Sequence, residues 1–250
     1  MSEPVLLCEN LEYHEQDVRV MSEVSFRLEK GQRGILLSEP HRCATSLLKI
    51  CATLIQPTDG KIAWFGRTME EMRRDDLIQL RRRIGLVRRE TSLISNMTIM
   101  DNVSLGLQYH NEIGQEQALH KVTELLKKFG LYEYRLLRPA QLNFEHRRLT
   151  IYARELAKDP QLYLLEHPSL DLGELTYSLL QETFSASSIG GCAFLVASII
   201  PEVVTRWGDW VMTFDEGRCR HFDVSEFDPS IYRESMRKRR TLLSEEWRSE

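Results

Sequence analysis

The chain has 250 residues, 42% of them hydrophobic, which is enough to bury one large core and argues against general disorder. Its 33 basic and 37 acidic residues leave a net charge of −4, so no global positive field draws in nucleic acid. Five cysteines (Cys8, Cys43, Cys51, Cys192, Cys219) lack metal-type spacing and are expected to be reduced, mostly buried thiols of a cytoplasmic protein, with no metal site.

No apolar run approaches the roughly 18 residues that would cross a bilayer. Met1-Ser2-Glu3-Pro4 also carries no basic start ahead of Val5-Leu6-Leu7. The expectation is a cytoplasmic protein, neither exported nor inserted in a membrane, that reaches one only peripherally through a partner. The basic runs Arg81-Arg82-Arg83, Arg88-Arg89 and Arg237-Lys238-Arg239-Arg240 are expected on solvated surface rather than in a nucleic-acid stripe.

Residues 5–10 and 18–28 read as strands around a turn containing His14-Glu15-Gln16-Asp17, and Val24, Phe26 and Leu28 alternate in the second. Gly31 leads into a buried strand, Ile35-Leu36-Leu37, and a helix is expected over 45–54. Gln56-Pro57-Thr58-Asp59-Gly60 is a turn before the strand Lys61 to Phe65. Glu70 to Leu80 reads as one charged helix, and Ile84 to Val87 as the next strand. Helices follow over 98–107, 115–129 and 142–158, with Gly130 stopping the second. Leu162 to Leu165 is a short apolar strand meeting Glu166. Leu175 to Phe184 is a helix, Ala193 to Ala197 a strand, Pro201 to Trp207 a short helix and Trp210 to Phe214 a strand closed by Asp215-Glu216-Gly217. Such alternation of strand and helix predicts an α/β fold with a mostly parallel sheet, an N-terminal antiparallel portion and a helical subdomain over about 90–158. The main domain is placed at 1–221. Residues 222–250 read as a charged, aromatic-sprinkled extension, an arm on this domain or on a neighbouring subunit.

The strand Ile35 to Leu37, the turn after it and the helix carrying Leu47, Leu48 and Ile50 form the frame of a phosphate-binding loop. Such a loop works through glycines that let N–H groups converge on phosphate, a Lys that reaches the β/γ-phosphates and a hydroxyl that holds Mg²⁺. Here Ser38, His41 and Cys43 replace the glycines and Ala44 replaces the Lys; only the hydroxyls Thr45 and Ser46 remain.

Across nearly its whole length the chain resembles the ATP-binding subunits of ABC transporters. The resemblance rests on the order of the loop at 38–46, Leu54-Ile55-Gln56-Pro57-Thr58-Asp59-Gly60, Ile84 to Val87, Met97 to Val103, Gln141 to Ala157 and Leu162 to Pro168. Asn102 to His110 and Arg138 to Leu142 look most like the branch serving bacterial phospholipid transport, the Mla-type, MCE-associated subunits. The resemblance implies a role for each working position. The connector Gln falls at Arg89. The signature segment, whose serine and glycines close a partner's nucleotide site, reads Leu142-Asn143-Phe144-Glu145-His146. The Mg²⁺-linked Asp falls at Glu166, the general base at His167, the switch His near Ser198 and a further loop Asp at Gly173. Tyr13, or else His14, would stack on the base.

Phosphoryl transfer depends on positioning and charge stabilisation, and loss of the Lys removes a cation facing about four negative charges. The expectation is therefore a catalytically inactive subunit with no catalytic residue, no metal and no ATP cofactor, acting as scaffold or regulator of a lipid-transport complex. Its partners would be a permease, a sister ATPase subunit or a second copy of itself. Two alternatives stand beside it: a weakly nucleotide-binding ATPase subunit, for which ATP and Mg²⁺ would be cofactors, and a soluble interaction protein outside transport. For Glu166 two readings are open, a residual cation site and the favoured hydrogen bond to the loop hydroxyls; His167 is expected to be structural at the sheet edge rather than a general base, and Arg42 and Arg89 to pair with Glu39, Glu90 or Glu166 rather than to meet an anion.

Overall fold

Strand β3 (Arg33–Leu37) is apolar through Ile35, Leu36 and Leu37, all fully buried, as in a strand covered on both faces. In the computed structural model, which describes residues 3–38, 42–108, 114–170, 172–215 and 217–238, it lies between β8 (Ala193–Ser198) and β9 (Trp210–Asp215), parallel to both. β7 (Leu162–Glu166) and β6 (Ile84–Val87) continue the parallel run beyond β8. On the other side β10 (Arg218–Asp223) folds back antiparallel on β9 and meets β2 (Val18–Leu28) in parallel. β1 (Leu6–Glu15), β4 (Asp59–Trp64) and β5 (Arg67–Thr68) complete an antiparallel edge. Among the described residues the order is β5-β4-β1-β2-β10-β9-β3-β8-β7-β6, a mixed α/β sheet with the expected N-terminal antiparallel portion.

Side chains alternate across a strand, so β3 feeds two cores. Leu36 enters one with Leu6, Leu28, Leu47 and Trp64, while Ile35 and Leu37 enter another with Val103, Val122, Tyr152 and Phe194. The first core is covered by α1 (Arg42–Cys51) and backs the antiparallel edge. The second takes the inner faces of α3 (Ile99–Gln108), α4 (Gln115–Lys128) and α5 (Phe144–Ala157), together with Leu180 and Phe184 of α6 (Glu174–Ile189) and Val203, Val204 and Trp207 of α7 (Glu202–Trp207).

Several elements depart from the sequence reading. The first helix begins at Arg42 rather than 45, and α6 runs on to Ile189. The charged segment from Glu70 divides into a 3₁₀ turn (Met69–Glu71) and α2 (Arg74–Arg82), because it carries two start signals. Thr68 N–H donates to Glu71 Oε2 at 2.8 Å and Arg73 N–H to Asp76 Oδ2 at 2.9 Å, so each carboxylate closes its own helix start. Tyr13, His14 and Glu15 belong to β1 and not to the turn. β10 was not foreseen, since its residues are half-buried or exposed and it is held by backbone pairing with β9 from Arg218 to Asp223. Only Cys8 and Cys51 of the five cysteines are buried; Cys43, Cys192 and Cys219 are half-buried.

Strand β10 crosses residue 221, and residues 229–238 form a further helix, α8. Phe222, Val224, Phe227 and Tyr232 pack against the second core of this same domain. Arg239-Arg240, Leu242-Leu243 and Trp247 lie outside the described residues, as do Glu39, His41 and residues 109–113.

Gly34 lies against the indole of Trp210, where an added Cβ would stand 2.2 Å from the ring. Gly34→Ala should therefore destabilise the protein by about 1–3 kcal/mol through overpacking, measured as a lowered midpoint in chemical denaturation. An unchanged midpoint would show that Trp210 can step aside.

Candidate functional site

Strands β3, β7 and β8 end side by side, and the candidate residues gather at their carboxyl ends, the position where open α/β sheets form their crevices. Glu166, the last residue of β7, is only 6% exposed. Thr45 Oγ1 on α1 donates to its Oε1 at 2.8 Å, and the Arg89 backbone N–H donates to its Oε2 at 3.1 Å. The Arg88 guanidinium stands 3.8 Å from the same oxygen and pairs with Glu90 at 2.7 Å. One carboxylate thus joins α1, the connector after β6 (residues 88–97) and β7, and of the two loop hydroxyls it is Thr45 that makes the bond the sequence suggests.

His167 is 2% exposed with φ +49°, and its backbone is bonded on both sides. Its N–H donates to the Ala197 carbonyl at 2.9 Å and its carbonyl accepts from Leu170 N–H at 3.1 Å. It follows an inner strand, between β6 and β8 in sheet order, and not an edge strand. Ser198 closes β8 opposite Leu37; its carbonyl accepts from Ser38 N–H at 3.4 Å, and its hydroxyl accepts from Ile200 N–H at 3.0 Å.

In the loop, His41 falls outside the described residues. Ala44 is 2% exposed and belongs to the first apolar core, and Ser46 is buried as well. The Cys43 thiol donates to the Val20 carbonyl at 3.0 Å, and burial pushes it above its ordinary pKa. Arg42 directs Nε (2.9 Å) and Nη2 (2.5 Å) to Glu15 Oε2, across the entrance from α1 to β1. Its partner is therefore Glu15, not Glu90 or Glu166. Tyr13 packs on the first core, and the His14 N–H donates to Thr58 Oγ1 at 2.9 Å. Arg89 is exposed, and its backbone rather than its guanidinium holds Glu166.

Asn143 to His146 form a second group. Asn143 caps α5, its Oδ1 accepting from His146 N–H at 2.7 Å. Phe144 stands 54% exposed at the first turn. Glu145 turns to the start of α6, accepting from Gly173 N–H at 3.0 Å and from the Thr176 hydroxyl, and these bonds hold its carboxyl below the usual glutamate range, Thr176 first. The His146 ring lies 4.6 Å from that of Tyr134. The hydrogen bonds of this segment thus run within the domain, to α6 and along α5, rather than to the Thr45–Glu166 group.

Sequence reasoning missed Asn102, which is fully buried on α3. Its Nδ2 donates to the carbonyls of Ile94 (3.1 Å) and Thr98 (3.0 Å), and its Oδ1 accepts from Ile94 N–H at 2.8 Å, fixing the connector that carries Arg88 and Arg89. The readable sign was the box beside it: Thr98 and Asp101 exchange hydrogen bonds at the start of α3.

A strand followed by a hydroxyl-bearing helix, with a buried acid ending the strand on the far side of β8 and bonded to that hydroxyl, is the arrangement of a P-loop-type α/β fold. The sequence family described as ABC transporter matches residues 21–169, more than half of the chain, and the chain belongs to that family. The lipoprotein-releasing system ATP-binding protein LolD of Chromohalobacter salexigens is 29% identical over 225 residues, covering 87% of this chain and 93% of that protein. The methionine import ATP-binding protein MetN of Haemophilus influenzae is 29% identical over 199 residues, covering 79% of this chain. The chain spans only 57% of that protein's length. Among solved structures, a dimeric bacterial ABC transporter cassette, MJ0796, superimposes with a TM-score of 0.79 at 21% identity, over 89% of this chain and 100% of that one. The cbiO1 protein of Clostridium perfringens gives 0.78 at 19% identity, over 97% and 96%. At these identities the structures establish the fold. Among the described residues no helix is long and apolar enough to cross a membrane.

Thr45→Val keeps the side-chain shape and leaves Glu166 Oε1 without its donor. A loss of about 1–3 kcal/mol in denaturant unfolding is expected, as for a buried polar group deprived of a partner. A carboxyl-detected NMR titration should place the Glu145 midpoint below the ordinary value near 4.3, with Thr176→Ala moving it back up. Because the folded value is depressed, the Glu145 contribution to stability is present above the unfolded value and is lost as pH falls through the folded one. A midpoint that ignores Thr176→Ala would contradict the assigned bond.

Proposed function

We propose that the chain is an ABC-type transport subunit that does not hydrolyse ATP and serves through its surfaces, as scaffold or regulator of a transport complex. One observation carries this reading: the two groups suited to hold a cation, the Thr45 hydroxyl and the Glu166 carboxylate, satisfy each other, while position 44 offers a buried methyl group. Arg42, at the start of α1, is engaged by Glu15. Phosphoryl transfer needs fixed positive charge around the phosphates, and the residues described do not fit a Mg-nucleotide on that account.

Partner surfaces favour the same reading. At the start of α5, Phe144 fills the position where a glycine would let phosphate approach, and Glu145 adds a negative charge beside it. A head-to-tail neighbour would find no anion cradle there. The partners proposed are a membrane permease, a sister subunit or a second copy of this chain, with the protein held peripherally at the membrane. A lipid-type cargo is supported by the resemblance of Asn102 to His110 and Arg138 to Leu142 to the phospholipid branch.

Weak ATP binding is the competing reading, and the relatives favour it: LolD and MetN are both described as ATP-binding proteins. Titration of the purified protein with a fluorescent ATP analogue and Mg²⁺, with turnover and solution mass measured alongside, separates the two. No binding, no turnover above a protein-free blank and an unchanged mass are expected. Binding at micromolar concentration would move the conclusion to the competing reading. A rate proportional to protein that survives further purification would end the non-hydrolysing one.

A further inference from the structure

The C-terminal arm reaches the turn after β8 and the start of α7. Helix α8 (229–238) turns Pro229, Tyr232, Ser235 and Met236 inward, at helical spacing, and leaves 230, 231, 233 and 234 exposed. A chain of rings ties its start to the sheet: Phe222 lies 6.4 Å from Phe227, and Phe227 lies 5.8 Å from Tyr232. Tyr232 and Ile200 pack against the same core. With Met236, Tyr232 also shares the wall of a concavity of about 260 Å³ with Ile199, Ile200 and Pro201. Beyond it, Arg233 forms an ion pair with Glu202, the first residue of α7.

Residues 199–201 are the turn that leaves β8, and the end of β8 pairs with the ends of both β3 and β7. Leu37 pairs with Ser198 and Ser38 N–H reaches its carbonyl, while Glu166 pairs with Ala197 and His167 N–H bonds to the Ala197 carbonyl. A displacement of the turn therefore acts on the strand end that both the loop and the acid lean on.

We propose that the arm is an intramolecular brace: α8 and the ring chain behind it hold the turn 199–201 and the start of α7 in one position, so that the end of β8 stays fixed. The brace extends the reading of a non-hydrolysing subunit, in which this turn has no catalytic cycle to follow. Its physical content is coupling between two elements that are distant in sequence, so loosening one must loosen the other. Packing of Tyr232 on the core that also takes Ile200 carries more of the coupling than the ion pair, whose members are 54% and 33% exposed and are screened by water.

Hydrogen exchange followed by mass spectrometry on the full chain tests it. In Tyr232→Ala/Arg233→Ala, amides of 199–207 are expected to exchange about tenfold faster than in the wild type, with β3 and β7 still protected. Unchanged protection of 199–207 overturns the brace. If that variant fails to fold, Arg233→Glu should raise exchange in the same peptide, and Arg233→Glu/Glu202→Arg should bring it back towards wild type; no response to the reversal, or no recovery, overturns it equally. ATP turnover of the wild type, measured in parallel, decides the non-hydrolysing reading alone. Turnover with a tenfold response would leave the brace standing and remove that reading, and the opposite pair of results would do the reverse.

Discussion

Glu166 is the group on which the rest of the site depends. A carboxylate at 6% exposure is stable only when its oxygens are bonded, and here each oxygen has one donor, from the α1 hydroxyl and the connector backbone. The consequence is geometric: α1, the connector and β7 cannot shift independently without leaving a buried acid unpartnered. Arg88 adds charge at 3.8 Å, and its own carbonyl accepts from the buried Arg148 at 3.0 Å, so α5 is drawn into the same assembly. Asn102 closes the other end of the connector. Polar bonds at few points thus hold together parts of two separate apolar cores.

The strands that the sequence revealed most clearly are those buried on both faces. Ile35-Leu36-Leu37 and Leu162 to Leu165 are unbroken apolar runs, and both lie in the parallel part of the sheet. β10 could not be seen in the same way. Arg218, Arg220, His221 and Asp223 are exposed, and the strand exists because β9 offers it a ladder of backbone partners. Likewise the helix expected from Glu70 gave way to two starts, since acidic residues three positions after Thr68 and Arg73 each bind a free N–H, a local competition that summed helix propensity does not register.

At the site, the contacts readable in advance were those between segments whose order resembles a known family, such as Thr45 with Glu166. Those set by tertiary approach were not readable. Arg42 finds Glu15 across 27 residues of sequence, and Glu145 finds Gly173 across 28, and no periodicity marks either pair. His167 illustrates the same limit: its left-handed φ follows from the chain leaving an inner strand toward Leu170, a topological demand invisible in its residue type.

Cation placement around Thr45 and Glu166 bears on the proposed non-hydrolysing reading. Phosphate recognition needs positive charge that is fixed but unsatisfied until the ligand arrives. Here Arg42 is bonded to Glu15 and Arg88 is shared by Glu90 and Glu166, while Arg148 is buried with a bond to the Arg88 carbonyl. Each of these bonds stabilises the folded chain without a ligand, and each would have to be exchanged to admit one. The same holds at two helix starts, where Asn143 accepts from the His146 N–H of α5 and Glu145 from the Gly173 N–H that opens α6.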